Sequence, residues 1–491
     1  MTVDLFSIGS SALRTSKRSL ETTSHNISNA NTEGFTRQKI THETNMPMED
    51  GQNILGNGVN VKEVRRVHDK LIEKNLLRTK SDHSYNEERD FQLGRVEEVF
   101  NEINSEGLNK VLNRFFNSFR ELSNQPESDV VRSVVRDNAN LVTADIRKIH
   151  ESIGQARKSI DTKIKTTVEE VNLHTKNITK LNKEIVRLEG SGGIANDLRD
   201  QRDRIIRNIS ENFTVHTYED KKGQYVVNVQ GVGTLVTGTM ANKLIAKTNA
   251  ASPEGADGIG KVQIHLEGRP GQAISKKFLK GRVQALVQTR DSDIQELNDN
   301  LDRLAHGLVH STNAIHRRGF ANKKIPVDAN GELIQKTDNQ NTGINFFKEP
   351  LEVKNAAAMI DLSDAVKTDL NNISTGLDPN APGDNRVSIA ISKLQHEKVF
   401  ETNHGDNGVT FEEHYHKSVG KIGLTVSKTK LDLEQSEGVL AQAKSIKERL
   451  SGVSIDEETA NMVKFQHAYD ASARMIKTAD EMFDSVLSMM R

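Results

Sequence analysis

Phe6-Ser-Ile-Gly-Ser-Ser-Ala-Leu13-Arg-Thr-Ser-Lys-Arg-Ser-Leu20-Glu-Thr-Thr-Ser-His-Asn-Ile27 opens the chain with an apolar residue at every seventh position, and Met462, Tyr469, Ile476, Phe483 and Met490 repeat that interval at the other end. A seven-residue interval keeps one stripe of a helix turned toward a partner helix. The two ends therefore read as mates, forming an antiparallel terminal coiled coil. Setting Phe6 level with Met490 and Ile27 level with Tyr469 also brings Arg14, Lys17 and Arg18 toward Asp480, Glu481 and Asp484. The stripe is thin, because Gly9, Ser16, Ser472 and Ala479 fill the alternate positions. Four large side chains on the first segment do not offset the entropy of ordering it. The ends are expected to be loose in an isolated molecule and helical once other subunits pack around them.

The middle of the chain changes period several times. Val64, Val67 and Leu71, then Leu93, Val96, Phe100 and Ile103, read as helix in two pieces around a polar stretch at Ser81 to Ser84. A second helix spans Leu108 to Leu122 and stops before Pro126. From a cap at Ser128 or Asp129, apolar residues at helical spacing continue through Ile146, Ile153, Ile164, Ile178 and Leu188, long enough for a rod of about 90 Å. Gly190 to Gly193 end it, and Asp197 to Ile209 restart a helix.

Between Phe213 and Leu266 the period falls to two, with hairpin signals at Lys221-Lys222-Gly223 and Gly231 to Gly233, which predicts a small antiparallel β domain. Helix returns from Leu279 to Ile315 and again from about His416 to Leu450, both expected to lie along the long helix of the first half. The fold class is mainly α with an inserted β domain. The division expected is 1–45 plus 452–491 for the terminal coiled coil, 46–210 plus 277–451 for a helical rod with a loop-rich segment at 319–383, and 211–276 for an outer β domain.

Composition narrows the function. The 491 residues carry 67 basic and 68 acidic side chains, a net charge of −1, which gives no reason to expect nucleic acid or an anionic membrane as partner. Cysteine is absent, so disulfides, thiolate metal sites and cysteine nucleophiles are excluded. No apolar run is long enough to span a bilayer, and Asp4 and Ser7 to Ser11 break any signal-peptide pattern.

Catalytic, cofactor and metal patterns fail one by one. Glu412-Glu413-His414-Tyr415-His416 lacks HExxH spacing and reads as a solvated helix start. Gly231-Val232-Gly233 opens no helix, as a dinucleotide loop would, and Asp328, Asn330 and Gly331 lack the rest of a calcium loop. No catalytic, cofactor or metal residue is assigned.

After the first seam comes His25-Asn-Ile-Ser-Asn-Ala-Asn-Thr-Glu-Gly-Phe-Thr-Arg-Gln38, in which Asn and Gly end the helix in a tight turn. This string resembles the terminal signature of flagellar rod, hook and hook-associated proteins. Gly56-Asn57-Gly58-Val59, Asn196-Asp-Leu-Arg-Asp-Gln-Arg-Asp203, Ser451-Gly-Val-Ser-Ile-Asp-Glu-Glu458 and Phe465 through Asp480 narrow the resemblance to the FlgK family of hook–filament junction proteins. Larger relatives carry a second outer domain after the helix ending near Ile315, whereas 319–383 here is too short for more than loops or a reduced module.

The resemblance implies a structural protein without cofactor. It would assemble as a ring at the hook tip, contacting hook protein below and hook-associated protein 3 above. It would reach the outside of the cell through the flagellar type III exporter without a cleaved signal peptide, its C-terminal helix first covered by a FlgN-type chaperone. Assembly falls to the two seam series and to the turn residues Asn26, Asn29, Asn31, Thr32, Gly34 and Phe35. The rivals are another axial protein such as hook-associated protein 3 or flagellin, a flagellum-associated cell-wall hydrolase, and a cytoplasmic coiled-coil scaffold. Flagellin-like ends lack both the Asn-Thr-x-Gly-Phe turn and the Arg37-Gln38 continuation.

Overall fold

A computed structural model describes residues 5–50, 53–100, 107–190, 192–220, 223–248, 261–324, 341–400 and 408–489. It begins with α1 (Leu5–Ser28), followed by an antiparallel ribbon of β1 (Gln38–Thr44) and β4 (Val59–Arg66), between which β2 (Met48–Asp50) and β3 (Asn53–Leu55) pair with each other. The spine of the molecule is α4 (Asp129–Glu189), an unbroken helix of 61 residues. The Ser128 side chain caps it by accepting from the Val131 amide. Along it, Ile146, Ile153 and Ile160, then Ile164, Val171, Ile178 and Ile185, are all buried, so one continuous stripe supplies the core from end to end.

Two helical layers cover that stripe. α3 (Leu108–Asn124) packs on the first part of α4. Its Phe115 and Phe119 meet Phe346 at ring distances of 5.9 and 5.4 Å, which holds the 341–362 segment against the rod. α6 (Arg282–Gln288) and α7 (Ile294–His316) run along α4 as expected, joined by a π turn at Thr289–Asp293. That turn aims Arg290 inward, where it bonds to Asp161 of α4 at 2.5 Å and to the Val262 carbonyl at 2.8 Å.

α2 (Lys70–Phe100) differs from expectation in two ways. It starts at Lys70, not near Val64, because Asp69 Oδ1 accepts the Leu71 and Ile72 amides at 2.7 and 3.2 Å and so forms its cap. It is also continuous. Ser81 and Ser84 are buried, and Ser81 Oγ lies 3.1 Å from Thr214 Oγ1, so the polar stretch is a packing face and not a break. The last long rod helix, α11 (Phe411–Ser451), lies along α2, whereas its spacing predicts a place on α4. Asn86 of α2 donates to the Asp432 carbonyl at 3.0 Å across that contact.

The β domain follows α5 (Asn196–Asn212). Its four-stranded antiparallel sheet has the order β5 (Val215–Glu219), β6 (Tyr225–Val229), β7 (Gly233–Thr237), β8 (Met240–Ala241). A three-stranded sheet follows with β10 (Val262–Leu266) between β9 (Leu244–Thr248) and β11 (Arg269–Ala273). Val227, Leu235, Leu244 and Ile264 belong to the same apolar cluster as Ile164, Val171 and Ile178, so the domain shares the rod's core. It leaves and rejoins the rod at one point: a Cβ on Gly281 would lie 2.5 Å from the Asn212 carbonyl oxygen.

Segment 341–400 forms three short helices, α8 (Ala356–Met359), α9 (Asp364–Thr368) and α10 (Arg386–Lys393), packed on the rod. The last element is α12 (Ile455–Met489). Asp328, Asn330, Gly331, Lys221 and Lys222 lie outside the described residues.

Candidate assembly site

α1 and α12 pack side by side and antiparallel within the single chain, both helical without neighbouring subunits, where loose ends were expected. Their register also departs from the one the spacing predicts. The expected alignment would set Gly9 against Leu487, whereas the structure sets it against Ile476, about eleven residues or three turns earlier. At the other end Asn26 is level with Glu458, whereas the expected register would place its neighbour Ile27 level with Tyr469.

The small residues explain the register found. Gly9, Ser16, Ser472 and Ala479 are all buried in the pair, so the two backbones approach where side chains are smallest. Leu13, Leu20, Ile27, Met462, Tyr469 and Ile476 flank that line half-buried. Phe6 is 49% and Phe483 63% exposed, and Met490 lies outside the described residues. The expected charge match across the pair does not form among the described residues: Arg18 pairs with Glu21 and Lys477 with Glu481, each within its own helix. Every described residue from Asp480 onward is exposed.

A polar lock fixes the base of the helix pair and supplies the order that the thin apolar stripe alone would not. Asn26 is 1% exposed, and its side chain donates to the Gln38 carbonyl at 2.9 Å and to Glu458 Oε2 at 3.0 Å while accepting from the Gln38 amide at 3.0 Å. Arg37 reaches Glu457 at 2.7 Å and Glu458 at 2.8 Å, and its amide donates to the Ser451 carbonyl at 2.9 Å. The Asn26 side chain thus ties α1 to the start of α12 and to β1, which β4 holds in place through the ribbon.

Several of the residues the sequence singled out shape the turn between α1 and β1. Asn29 donates to the His25 carbonyl at 3.0 Å and accepts from the Thr32 hydroxyl at 3.2 Å. Gly34 has φ +85°, a left-handed conformation that strains other residues, and sits against Arg204 and Arg207 of α5. Phe35 packs edge-on to His25 at 5.5 Å. Asn31 and Thr32 are exposed.

The Asn196–Asp203 string, which the sequence singles out for its family resemblance and not as a site, forms the floor of this site. Asn196 donates to Gln38 Oε1 and the Val64 carbonyl, Asp197 accepts from Gln38 Nε2 at 2.8 Å, and Asp200 accepts the Thr36 amide at 2.9 Å. Arg66 bridges Asp200 and Asp203 at 2.6 and 2.7 Å. Burial weighs against the Arg66 charge, but Asp203 and Asp200 outweigh it and hold the guanidinium above its ordinary range. Burial pushes the Asp200 carboxyl up against the pull of Arg66 and the Thr36 amide. Both carboxylates are buried and bridged by one cation, an arrangement that locks elements together. Among the described residues no three His, Asp or Glu side chains are grouped to hold a metal, and no helix is long and apolar enough to cross a membrane.

The terminal helices thus pair and are pinned through a polar turn to a β ribbon and a helical rod. The models of the flagella basal body rod protein and of the FlgEFG C-terminal region match residues 6–36 and 449–489, and the model of the FlgK helical domain matches 93–347. The chain is 27% identical to flagellar hook-associated protein 1 of Bacillus subtilis, across 98% of this chain and 96% of the relative. It is 25% identical to the protein of the same name from Salmonella typhimurium, across 98% of each. The solved structure of the flagellar hook junction protein FlgK from Burkholderia pseudomallei shares the fold with a TM-score of 0.62 at 13% identity, covering 78% of this chain and all of that one. The chain belongs to the FlgK family of flagellar hook-associated proteins.

Proposed function

We propose that this protein joins the flagellar hook to the filament, assembling as a short ring at the hook tip after unfolded export through the type III apparatus. The observation that carries this reading is the α1–α12 pair, locked at its base by Asn26 and Glu458 and uncovered at its far end. A locked base sets the angle at which the helices leave the rod. The uncovered apolar turns gain contacts only when other subunits or a FlgN-type chaperone surround them. Hook protein and hook-associated protein 3 are the neighbours this position implies, and its location is extracellular. The site has the character of a joint and not of a catalytic centre, which favours a structural role over a cell-wall hydrolase.

Leu13→Asp or Ile476→Asp tests this reading. Each is expected to leave the rod folded and to abolish attached filaments, scored by electron microscopy of flagella against a deletion strain. Loss of the circular dichroism melting transition in either variant would instead make the seam part of the monomer core. A deletion strain that keeps attached filaments would overturn the junction role.

A further inference from the structure

A groove of about 1040 Å³ opens beside the polar lock, between the end of α1, the β1–β4 ribbon and the first turns of α12. Its walls hold Arg37 paired with Glu457 and Glu458, and beyond those pairs an excess of cations. Lys39 and Arg65 are direct cross-strand partners on the ribbon, a like-charge pairing that costs stability. Lys464 of α12 lines the same groove, and none of the three has an ion pair among the described residues. Ile40, Val67 and Phe465 provide apolar surface between them.

The complementary surface is the other end of the same helix. Past Ala479, every described residue of α12 is exposed, and the helix carries Asp480 and Asp484 beside Met482, Phe483 and Val486. Lys464 and Asp480 lie about 24 Å apart along a straight helix, so a chain cannot fold its own end into its own groove.

We propose that the groove receives the acidic, apolar last turns of α12 from a second copy of this chain. Asp480 and Asp484 sit against Lys39, Arg65 and Lys464, and the apolar flank of the helix covers Ile40, Val67 and Phe465. The contact joins two different surfaces, so it repeats head to tail and builds a ring or a helical array. This inference rests on the reading that the chain assembles through its termini.

Because the chain has no cysteine, introduced thiols report the contact directly. Full-length Arg65→Cys and Asp484→Cys chains, co-expressed in a deletion strain, are oxidised on sheared flagella. A covalent dimer of this chain is expected; its absence in flagella that hold both variants, or a link to another protein, overturns the proposal. In a second arm, Lys39→Glu with Arg65→Glu, and Asp480→Lys with Asp484→Lys, are each expected to lower incorporation at least tenfold, and their combination in one chain to restore it. A combination no better than either alone overturns the proposal. Filaments that stay attached in the deletion strain would defeat the junction reading instead, whatever the cross-linking shows.

Discussion

Asn26 on the first helix and Glu458 on the last are hydrogen-bonded at 3.0 Å across 432 positions of sequence. Each is nearly inaccessible to solvent, so the bond forms in a low-dielectric setting where losing a partner is costly.

Asn26→Ala is expected to destabilise the α1–α12 pair by about 1–3 kcal/mol, since Glu458 and the Gln38 amide each lose a partner. Amide exchange should speed up in α1 and the first half of α12 while the rod keeps its protection. Unchanged exchange in α1 would remove Asn26 from the lock.

Two glycines separate packing from propensity. A Cβ on Gly9 would lie 2.9 Å from Ile476 Cγ1, so Gly9→Val should force the terminal helices apart and raise exchange along both. Gly154, inside α4, has nothing within 4 Å, so Gly154→Ala should stabilise the rod by about 1 kcal/mol in urea unfolding. Equal effects from the two would contradict this packing.

Arg290 is 1% exposed and paired with Asp161. Arg290→Met is expected to cost about 3–5 kcal/mol by leaving that carboxylate buried without its cation. Adding Asp161→Leu should recover part of the loss, because the second change removes the stranded charge. Strictly additive losses in a double-mutant cycle would show that the two side chains act independently.

His316 is fully buried with both ring nitrogens engaged: Nδ1 donates to the Ile344 carbonyl at 2.7 Å, and Nε2 accepts the Ser374 amide at 2.9 Å. Only the neutral ring satisfies both. Burial, reinforced by Arg132, lowers its pKa from 6.5 to about 4. A lowered folded value means that the stabilisation is complete above pH 6.5 and is lost as pH falls toward 4, where the unfolded chain takes up a proton the native state refuses. Unfolding free energy should fall by about 3 kcal/mol across that window, and His316→Gln should flatten the dependence. A variant with the parental slope would assign it to other groups.

Much of the fold was legible because long helices announce themselves locally. The cap at Ser128, the stripe from Val131 to Ile185 and the glycines after Glu189 are short-range facts about one helix. The β domain was legible for the same reason, as alternation and turn residues within a few positions. Polar positions misled: Ser81 and Ser84 read as a break, yet they face a neighbouring element and α2 runs through them.

The sequence by itself determined that the two ends pair, that a rod of about 90 Å lies between them, and which turn follows the first helix. Only the tertiary structure decided the register. A seven-residue repeat is satisfied almost equally after one helix slides along the other, so apolar spacing cannot choose among alignments. The choice falls to contacts between residues far apart in the chain: Asn26 with Glu458, Gly9 with Ile476, and the Asn196–Asp203 string beneath Gln38 and Arg66. Those contacts exist only once the rod has carried the two ends back to the same place.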